Sequence, residues 1–323
     1  MDRWRDLRLR RGGRSNLRRS AILSEHLVTR PREDSLSQRL GDYLMLTKPA
    51  IVILLLVTTL CGMIVGASGF PPASVIALTL LGGALTAGGA GALNQYLDRE
   101  IDRKMVRTRG RPLADDRISP REGLVVGLVL SVAGVTVLAT GVNLISAVLA
   151  AFGLFYYVVF YTIILKPTTP SNIVIGGAAG ALPPLVGWAA ATGSLTMPAL
   201  FLFALIFFWT PPHFWALALL KQTDYQRAQI PMLPVIRGSE HTRRQILLYS
   251  VQVVALTLLM PLVGLGGLLY IGVAIILGGG LIHHALKLRL RGQNRVAWSM
   301  YRYSSLYLAG IMLALMADAL IVG

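Results

Sequence analysis

Asparagine and aspartate side chains recur at every fourth position near residue 100. Asn94, Asp98 and Asp102 are spaced i, i+4 and i+8, so on a continuous helix they share one face with a rise of about 6 Å per step. Three oxygen-bearing side chains in a row suit Mg²⁺, which keeps several waters and takes one or two carboxylates plus phosphate oxygens. An ordinary solvated helix end with salt bridges between turns would have the same pattern.

Cationic residues follow these carboxylates closely. They are Arg99, Arg103, Lys104, Arg107, Arg109 and Arg111. Carboxylates with guanidinium groups beside them are what a Mg²⁺–diphosphate substrate requires. A second cluster lies further along the chain, where Lys221 and Asp224 are one helical turn apart before another basic loop.

An aromatic run containing two prolines precedes this second cluster. It extends from Trp209 to Trp215 and contains Pro211, Pro212 and Phe214. Two prolines inside an apolar helix kink it and leave backbone groups that need other partners. The two tryptophans and Phe214 are candidates for cavity walls, and an interfacial aromatic belt is the alternative. The Tyr161 region has the same two interpretations, a π-rich lining or a lipid-facing surface.

Long uncharged stretches define the elements that must position these residues. Between Lys48 and Asp98 lie 49 residues without Asp, Glu, Lys or Arg, and stretches of 43, 54 and 42 such residues follow. Because a membrane-spanning helix needs about 20 apolar residues, each stretch accommodates two spans and a turn. One further span follows Arg302. The sequence therefore predicts an all-α polytopic membrane protein with nine transmembrane helices.

The charge distribution predicts how these spans are oriented. The 323 residues are 54% apolar and carry 31 Lys and Arg against 15 Asp and Glu. Every predicted hairpin returns the chain to the side it left, so all the cations fall on one side. Positive-inside bias then places the N-terminus in the cytoplasm and the C-terminus outside. In so apolar a chain, the basic excess marks a membrane-protein face, and we expect no nucleic-acid partner.

The N-terminal segment differs in composition from the rest. Residues 1–41 are arginine-rich and polar, which predicts a disordered basic cytoplasmic tail ahead of a nine-helix domain over residues 42–323. No apolar stretch precedes residue 49, which argues against a secretory signal peptide. Acidic residues in the segment favour a bacterial plasma-membrane protein over a mitochondrial inner-membrane one. The single cysteine, Cys61, excludes an intrachain disulfide framework.

The chain resembles the UbiA-type intramembrane prenyltransferases over nearly all of residues 43–323. Asn94, Asp98 and Asp102 match the first signature of that family, NxxxDxxxD. The resemblance is greatest to the branch that farnesylates haem b, and four stretches carry it: 46–49, 107–113, 161–188 and 212–234. Two positions depart from the pattern, since Ala228 stands where the superfamily has a second aspartate and Gln229 where a glycine is expected.

This resemblance implies a fold, a reaction and a set of site residues. The fold would enclose a central cavity. The reaction would transfer farnesyl from farnesyl diphosphate to a haem b vinyl group, giving haem O and diphosphate for haem-copper oxidase assembly. The implied ligands of Mg²⁺, which are also the implied catalytic residues, are Asn94, Asp98, Asp102 and Asp224. The implied diphosphate-binding residues are Arg107, Arg111, Lys166 and Lys221. The implied haem or prenyl cavity residues are His213, Tyr161, Trp209, Trp215 and Asn172. Expected partners are the two substrates, the lipid bilayer and the next haem-modifying enzyme.

Three other functions remain open from the residues. The chain could be an aromatic prenyltransferase acting on a quinone precursor. A transporter would need polar groups near mid-membrane, yet the charges concentrate at one edge and only Asp318 lies near the other. A non-enzymatic haem-binding protein would need paired axial histidines, such as His213 with His283 or His284.

Overall fold

The secondary structure of residues 36–322, the range that the computed structural model describes, consists of helices. The α-helices are Leu36–Leu46, Pro49–Ala67, Ala73–Lys104, Pro120–Gly141, Leu144–Phe155, Lys166–Thr168, Asn172–Ala181, Pro183–Thr192, Met197–Leu220, Gln222–Arg227, Leu233–Ile236, Gly238–Leu259, Leu268–Arg291 and Asn294–Val322. A π-helix, Tyr156–Leu165, and a 3₁₀-helix, Met260–Val263, continue two of them. The prediction of an all-α fold is confirmed for this range.

Nine helical segments within residues 36–322 are long and apolar enough to cross a membrane. We number them as spans one to nine: Pro49–Ala67, Ala73–Lys104, Pro120–Gly141, Leu144–Thr168, Asn172–Thr192, Met197–Leu220, Gly238–Val263, Leu268–Arg291 and Asn294–Ile321. Each uncharged stretch of the sequence covers most of two of them, and a short turn with a glycine, such as Gly69 or Gly193, separates the two. The prediction of nine spans is confirmed.

Small residues let several spans approach closely. A Cβ added at Gly134 of span three would overlap Thr86 of span two, and one at Gly89 of span two would overlap Ser131 of span three. Spans one and five meet in the same way, since a Cβ at Gly187 would overlap the Thr59 carbonyl oxygen. Backbones in contact without intervening side chains are the usual packing mode of membrane helices.

Span four changes helix type partway along. Its first half, Leu144–Phe155, is α-helical, and Tyr156–Leu165 is a π-helix in which the Thr162 hydroxyl donates to the Tyr157 carbonyl at 2.8 Å. A π-helix turn contains more residues than an α-helix turn, and such segments are frequent at functional sites. The change allows Tyr157, Tyr161 and Thr162 to face the same side, toward the interior of the bundle.

The first described residues, Leu36–Leu46, form a helix. The domain division after residue 41 stays a prediction. Residues 1–35 lie outside the described range, so the disordered basic tail stays a prediction.

Span six is one continuous helix through Pro211 and Pro212.

Candidate active site

The predicted ladder of oxygen ligands lies on the inner face of span two. Because this helix continues to Lys104, Asn94, Asp98 and Asp102 lie on successive turns of one face, and each is only 3% exposed. The Asn94 amide nitrogen donates to the Asp98 carboxylate at 2.8 Å. Buried carboxylates need charged or hydrogen-bonding partners, and the neighbouring elements supply them.

Two cations pair with the two carboxylates. The Lys166 ammonium at the end of span four lies 2.6 Å from Asp98, and the Arg111 guanidinium lies 2.7 Å from Asp102. Lys166 and Arg111 were both predicted to bind diphosphate, and the structure brings them to the predicted metal ligands. These are buried or half-buried pairs, in which a lone remaining charge would be costly.

Lys48 completes this cluster, although the sequence analysis did not select it as a site residue. Its ammonium donates to the Asn94 side-chain oxygen and lies 3.4 Å from the Tyr157 hydroxyl. Its backbone adopts the left-handed conformation (φ 56°) immediately before Pro49, an outlier for a non-glycine residue. Burial, aided by the nearby Arg111 charge, lowers the pKa of Lys48 to about 7.

A glycine on span two explains how the backbone around Lys48 comes so close. A Cβ at Gly91 would lie 3.0 Å from the Thr47 carbonyl oxygen, a contact tighter than most. Gln95, one turn further, donates to the Met45 and Leu46 carbonyls at 2.9 and 3.1 Å. The chain entering span one is therefore fixed against span two beside Asn94.

Thr162 is a second residue that the sequence analysis missed. Its hydroxyl oxygen accepts a hydrogen bond from the Asn94 amide at 3.0 Å while donating to the Tyr157 carbonyl. The Asn94 amide therefore donates to Thr162 and Asp98, and its oxygen faces Lys48. The π-helix that positions Thr162 has no sequence signature that could have indicated it.

The second predicted cluster lies on the short helix after span six. Asp224 is buried at the start of Gln222–Arg227, and Lys221 is half-buried just before it. The adjacent Tyr225 is buried, which raises the pKa of its hydroxyl, and the nearby Arg107 charge counteracts this rise. The loops that follow spans two and six therefore come close to each other at Arg107 and Tyr225.

The oxygen ligands of this face suit a metal that the protein and a substrate hold together. They suit less well a metal that protein side chains coordinate alone. Within residues 36–322, no three His, Cys, Asp or Glu side chains come together as a metal-binding group. Asp98 and Asp102 nevertheless offer two buried carboxylates beside the amide oxygen of Asn94. Mg²⁺ typically takes one or two carboxylates and completes its coordination with water and substrate phosphates. This oxygen-rich face is compatible with such binding.

An apolar cavity of about 400 Å³ adjoins the polar cluster. Lys48 and Tyr157 line it, as do three of the predicted cavity residues, Tyr161, Trp209 and His213. Phe214 and Tyr301 also contribute to the wall. The volume is typical of small-molecule sites, which are mostly apolar with a few polar groups.

The structure places the other two predicted cavity residues away from this wall. Trp215 is buried on another face of span six, where its ring lies edge-on to Tyr249 of span seven at 5.3 Å. Since each helical residue turns by about 100°, Trp215 lies about 240° from Trp209, and the spacing alone could have indicated this. Asn172 is fully buried and donates weakly to the Lys166 carbonyl at 3.4 Å.

The fold and the site together define a class. They describe a polytopic helical membrane protein with a buried carboxylate-and-cation cluster opening onto an apolar cavity. The model of the UbiA prenyltransferase family matches residues 55–309. The chain belongs to the UbiA prenyltransferase family, which confirms the resemblance seen in the sequence.

Proteins named protoheme IX farnesyltransferase are similar to this chain. The one from Roseiflexus sp. (strain RS-1) is 50% identical over 282 residues, covering 87% of this chain and 53% of the relative. The one from Thermus thermophilus is 49% identical, covering 86% of this chain and 46% of the relative. The chain thus spans about half the length of these relatives. The one from Symbiobacterium thermophilum is 47% identical, covering 87% of this chain and 95% of the relative.

Solved structures of the family share the fold at low sequence identity. A digeranylgeranylglyceryl phosphate synthase superposes with a TM-score of 0.74 at 17% identity, covering 88% of this chain and 99% of that one. A UbiA homologue from Archaeoglobus fulgidus, bound to GPP and Mg²⁺, has a TM-score of 0.61 at 18% identity and covers 85% and 99%.

Proposed function

We propose that this chain transfers a farnesyl group from farnesyl diphosphate to a vinyl group of haem b, producing haem O and diphosphate. The names of its relatives support the choice of substrates. The observation that carries the proposal is the direct contact between a buried polar cluster and an apolar cavity, with Lys48 belonging to both. A prenyl diphosphate has the same two parts, a charged head and an apolar tail.

The polar cluster would bind the diphosphate head. Lys48, Lys166 and Arg111 would neutralise its charge, with Arg107 and Lys221 at the rim. Asn94, Asp98, Asp102 and Asp224 would hold Mg²⁺ there. A UbiA homologue from Archaeoglobus fulgidus that shares the fold is bound to GPP and Mg²⁺, which supports this assignment. That ion would supply Lewis-acid polarisation of the leaving-group oxygens.

The ion pairs of the site suggest how its charged groups change partners when farnesyl diphosphate binds. Lys166 and Arg111 neutralise Asp98 and Asp102 at 2.6 and 2.7 Å. An arriving diphosphate competes for both cations, because guanidinium and ammonium groups bind phosphate oxygens strongly. Asp98 and Asp102 would then be available to hold Mg²⁺. Buried charges thus remain paired before and after binding.

The reaction would proceed within the aromatic part of the cavity. The C1–O bond of farnesyl diphosphate breaks, and its electron pair leaves with the diphosphate. The rings of Tyr157, Tyr161 and Trp209 can stabilise the resulting allylic cation, by up to about 2 kcal/mol each in a desolvated site. The π electrons of the vinyl group form the new C–C bond. Water then adds to the resulting cation and loses a proton, which leaves the hydroxyethylfarnesyl side chain.

The spans and the bacterial relatives support a setting for the reaction. We place the chain in a bacterial plasma membrane, with the N-terminus and the basic loops in the cytoplasm and the C-terminus outside. The apolar cavity would receive the prenyl tail from the bilayer. Haem O would then pass to the next haem-modifying enzyme for haem-copper oxidase assembly.

The test is turnover in membranes that contain the chain, supplied with haem b, farnesyl diphosphate and Mg²⁺. We expect haem O by mass spectrometry, and we expect EDTA to abolish it. Asp98→Asn should abolish it too, because it removes a charge inside the cluster. Glu100→Gln removes a charge from the same helix at an exposed position, 64% accessible, and should leave turnover unchanged.

Other products would lead to other conclusions. Prenylation of an aromatic acid in place of haem b would overturn the proposed acceptor and favour the quinone-precursor reaction. Equal activity of Asp98→Asn and Glu100→Gln would overturn the assignment of the cluster. Properly inserted protein without either product would reject the prenyltransferase proposal for this chain.

A further inference from the structure

The imidazole of His213 is held in one orientation at the cavity wall. Trp209 and Tyr301 stack on its two faces, with ring centroids 4.3 and 4.5 Å away. Its Nδ1 atom lies 2.8 Å from the hydroxyl oxygen of Ser304 in span nine. Trp209 is itself fixed, because its indole N–H donates to the Ser304 carbonyl at 2.7 Å.

The protonation of His213 follows from counting hydrogen atoms. Ser304 has a single hydroxyl proton, which it donates to the Tyr301 carbonyl at 2.8 Å. With the hydroxyl proton on the Tyr301 carbonyl, the Ser304 oxygen accepts from His213, and we assign the ring proton to Nδ1 on this arrangement.

The other ring nitrogen is then left with a lone pair. The contacts of His213 within residues 36–322 are three aromatic rings and a hydroxyl. No carboxylate there offsets the cost of burying an imidazolium, so the ring is neutral. A neutral imidazole protonated on Nδ1 is a donor of electrons at Nε2.

We infer that His213 ligates the metal of the acceptor porphyrin through Nε2, and that Ser304 is the positioning residue that fixes the required tautomer. Metal-ligating histidines almost always donate their second ring N–H to an oxygen acceptor, as His213 does to Ser304. A neutral ring makes no ion pair with a propionate, which favours ligation of the metal. This inference rests on the proposed function for the identity of the porphyrin.

The test measures binding by absorption spectroscopy and requires no turnover. The purified full chain in lipid nanodiscs is titrated with haem b and with metal-free protoporphyrin IX, which has the same vinyl groups and propionates. We expect haem b to bind more tightly and to acquire the Soret band of an imidazole-ligated haem. His213→Ala should remove this spectral change, and added imidazole should restore it.

A pair of serine variants tests the positioning role. Ser304→Ala removes the acceptor for Nδ1 and should weaken haem binding about 10- to 100-fold, the usual effect of losing such a partner, while leaving protoporphyrin binding unchanged. Ser250→Ala is the matched control, because Ser250 is equally buried and bonds a carbonyl within its own helix at 2.7 Å. His213→Gln retains a hydrogen-bond donor for Ser304 and provides a second variant if His213→Ala fails to fold.

The possible outcomes separate this inference from the proposed function. Equal binding of haem b and protoporphyrin, or a haem spectrum that survives in His213→Ala or His213→Gln, overturns the ligation. An equal effect of Ser304→Ala and Ser250→Ala overturns the positioning role. If the proposed function alone is wrong, His213-dependent haem ligation persists and no haem O forms.

Discussion

Replacing Thr162 by valine should impair the polar cluster while leaving the cavity intact. Valine has nearly the shape of threonine but lacks the hydroxyl, which in this site accepts from the Asn94 amide at 3.0 Å and donates to the Tyr157 carbonyl at 2.8 Å. In the variant, the Asn94 amide retains only Asp98 as an acceptor. The orientation of the Asn94 oxygen, which faces Lys48, is then less well determined.

The size of the expected loss of activity follows from burial, since Thr162 is only 6% exposed. Leaving a buried polar group without its partner costs about 1–3 kcal/mol. If the transition state loses that amount of stabilisation, kcat/KM for farnesyl diphosphate falls about 5- to 150-fold, because about 1.4 kcal/mol corresponds to a tenfold change in rate. Thr162→Ser retains the hydroxyl and should remain close to wild type.

The assay is haem O formation at varied farnesyl diphosphate, Mg²⁺ and haem b. We expect the loss in kcat/KM for farnesyl diphosphate, with a higher Mg²⁺ requirement and an unchanged KM for haem b. Thermal unfolding of each variant in detergent checks that the fold survives. Wild-type kinetics in Thr162→Val, or an equal defect in Thr162→Ser, would refute the positioning of Asn94 by Thr162.

Two further predictions concern the fold away from the polar cluster. Asp318 accepts hydrogen bonds from the backbone N–H groups of Gly267 and Tyr270 at 2.6 and 2.9 Å, so Asp318→Ala should lower the free energy of unfolding by about 1–3 kcal/mol. Asp318→Asn should lower the free energy of unfolding by less. Thermal unfolding in detergent and turnover at low temperature check both variants. Gly187→Ala should prevent correct folding, because its Cβ would overlap a backbone oxygen of span one. Gly272→Ala, which meets nothing within 4 Å, should express normally in the same membrane-insertion assay.

The spans were predictable because the membrane excludes charged residues from each span, and a local stretch of the sequence shows this directly. A charged residue inside the hydrocarbon region is costly, so uncharged stretches mark the spans directly. Glycine-rich turns such as Gly264 to Gly267 divide these stretches where the helices end. No comparable signal marks the π-helix of span four, since its sequence is as apolar as an ordinary span.

The polar cluster was only partly predictable because its contacts join distant parts of the chain. Asn94, Asp98 and Asp102 share a helix, so their spacing was sufficient to group them. Lys48 lies 46 residues from Asn94 in sequence. Stretch 46–49 carried the family resemblance, but no spacing in the sequence indicated a contact between Lys48 and Asn94. Its contact depends on the close approach of two backbones at Gly91, which is a property of the packed bundle.

The placement of the polar groups favours an enzyme over the two other classes considered. Asp318, the carboxylate near the uncharged end, accepts hydrogen bonds from backbone N–H groups at the start of span eight, which is a structural role. Among residues 36–322, His213 is the only histidine that lines the cavity, while His284 stacks on Tyr303 outside it. A permanently bound haem with two axial histidines would need a second histidine in this wall. In the proposed reaction a single histidine would supply one axial ligand, which suits an acceptor that must enter and leave.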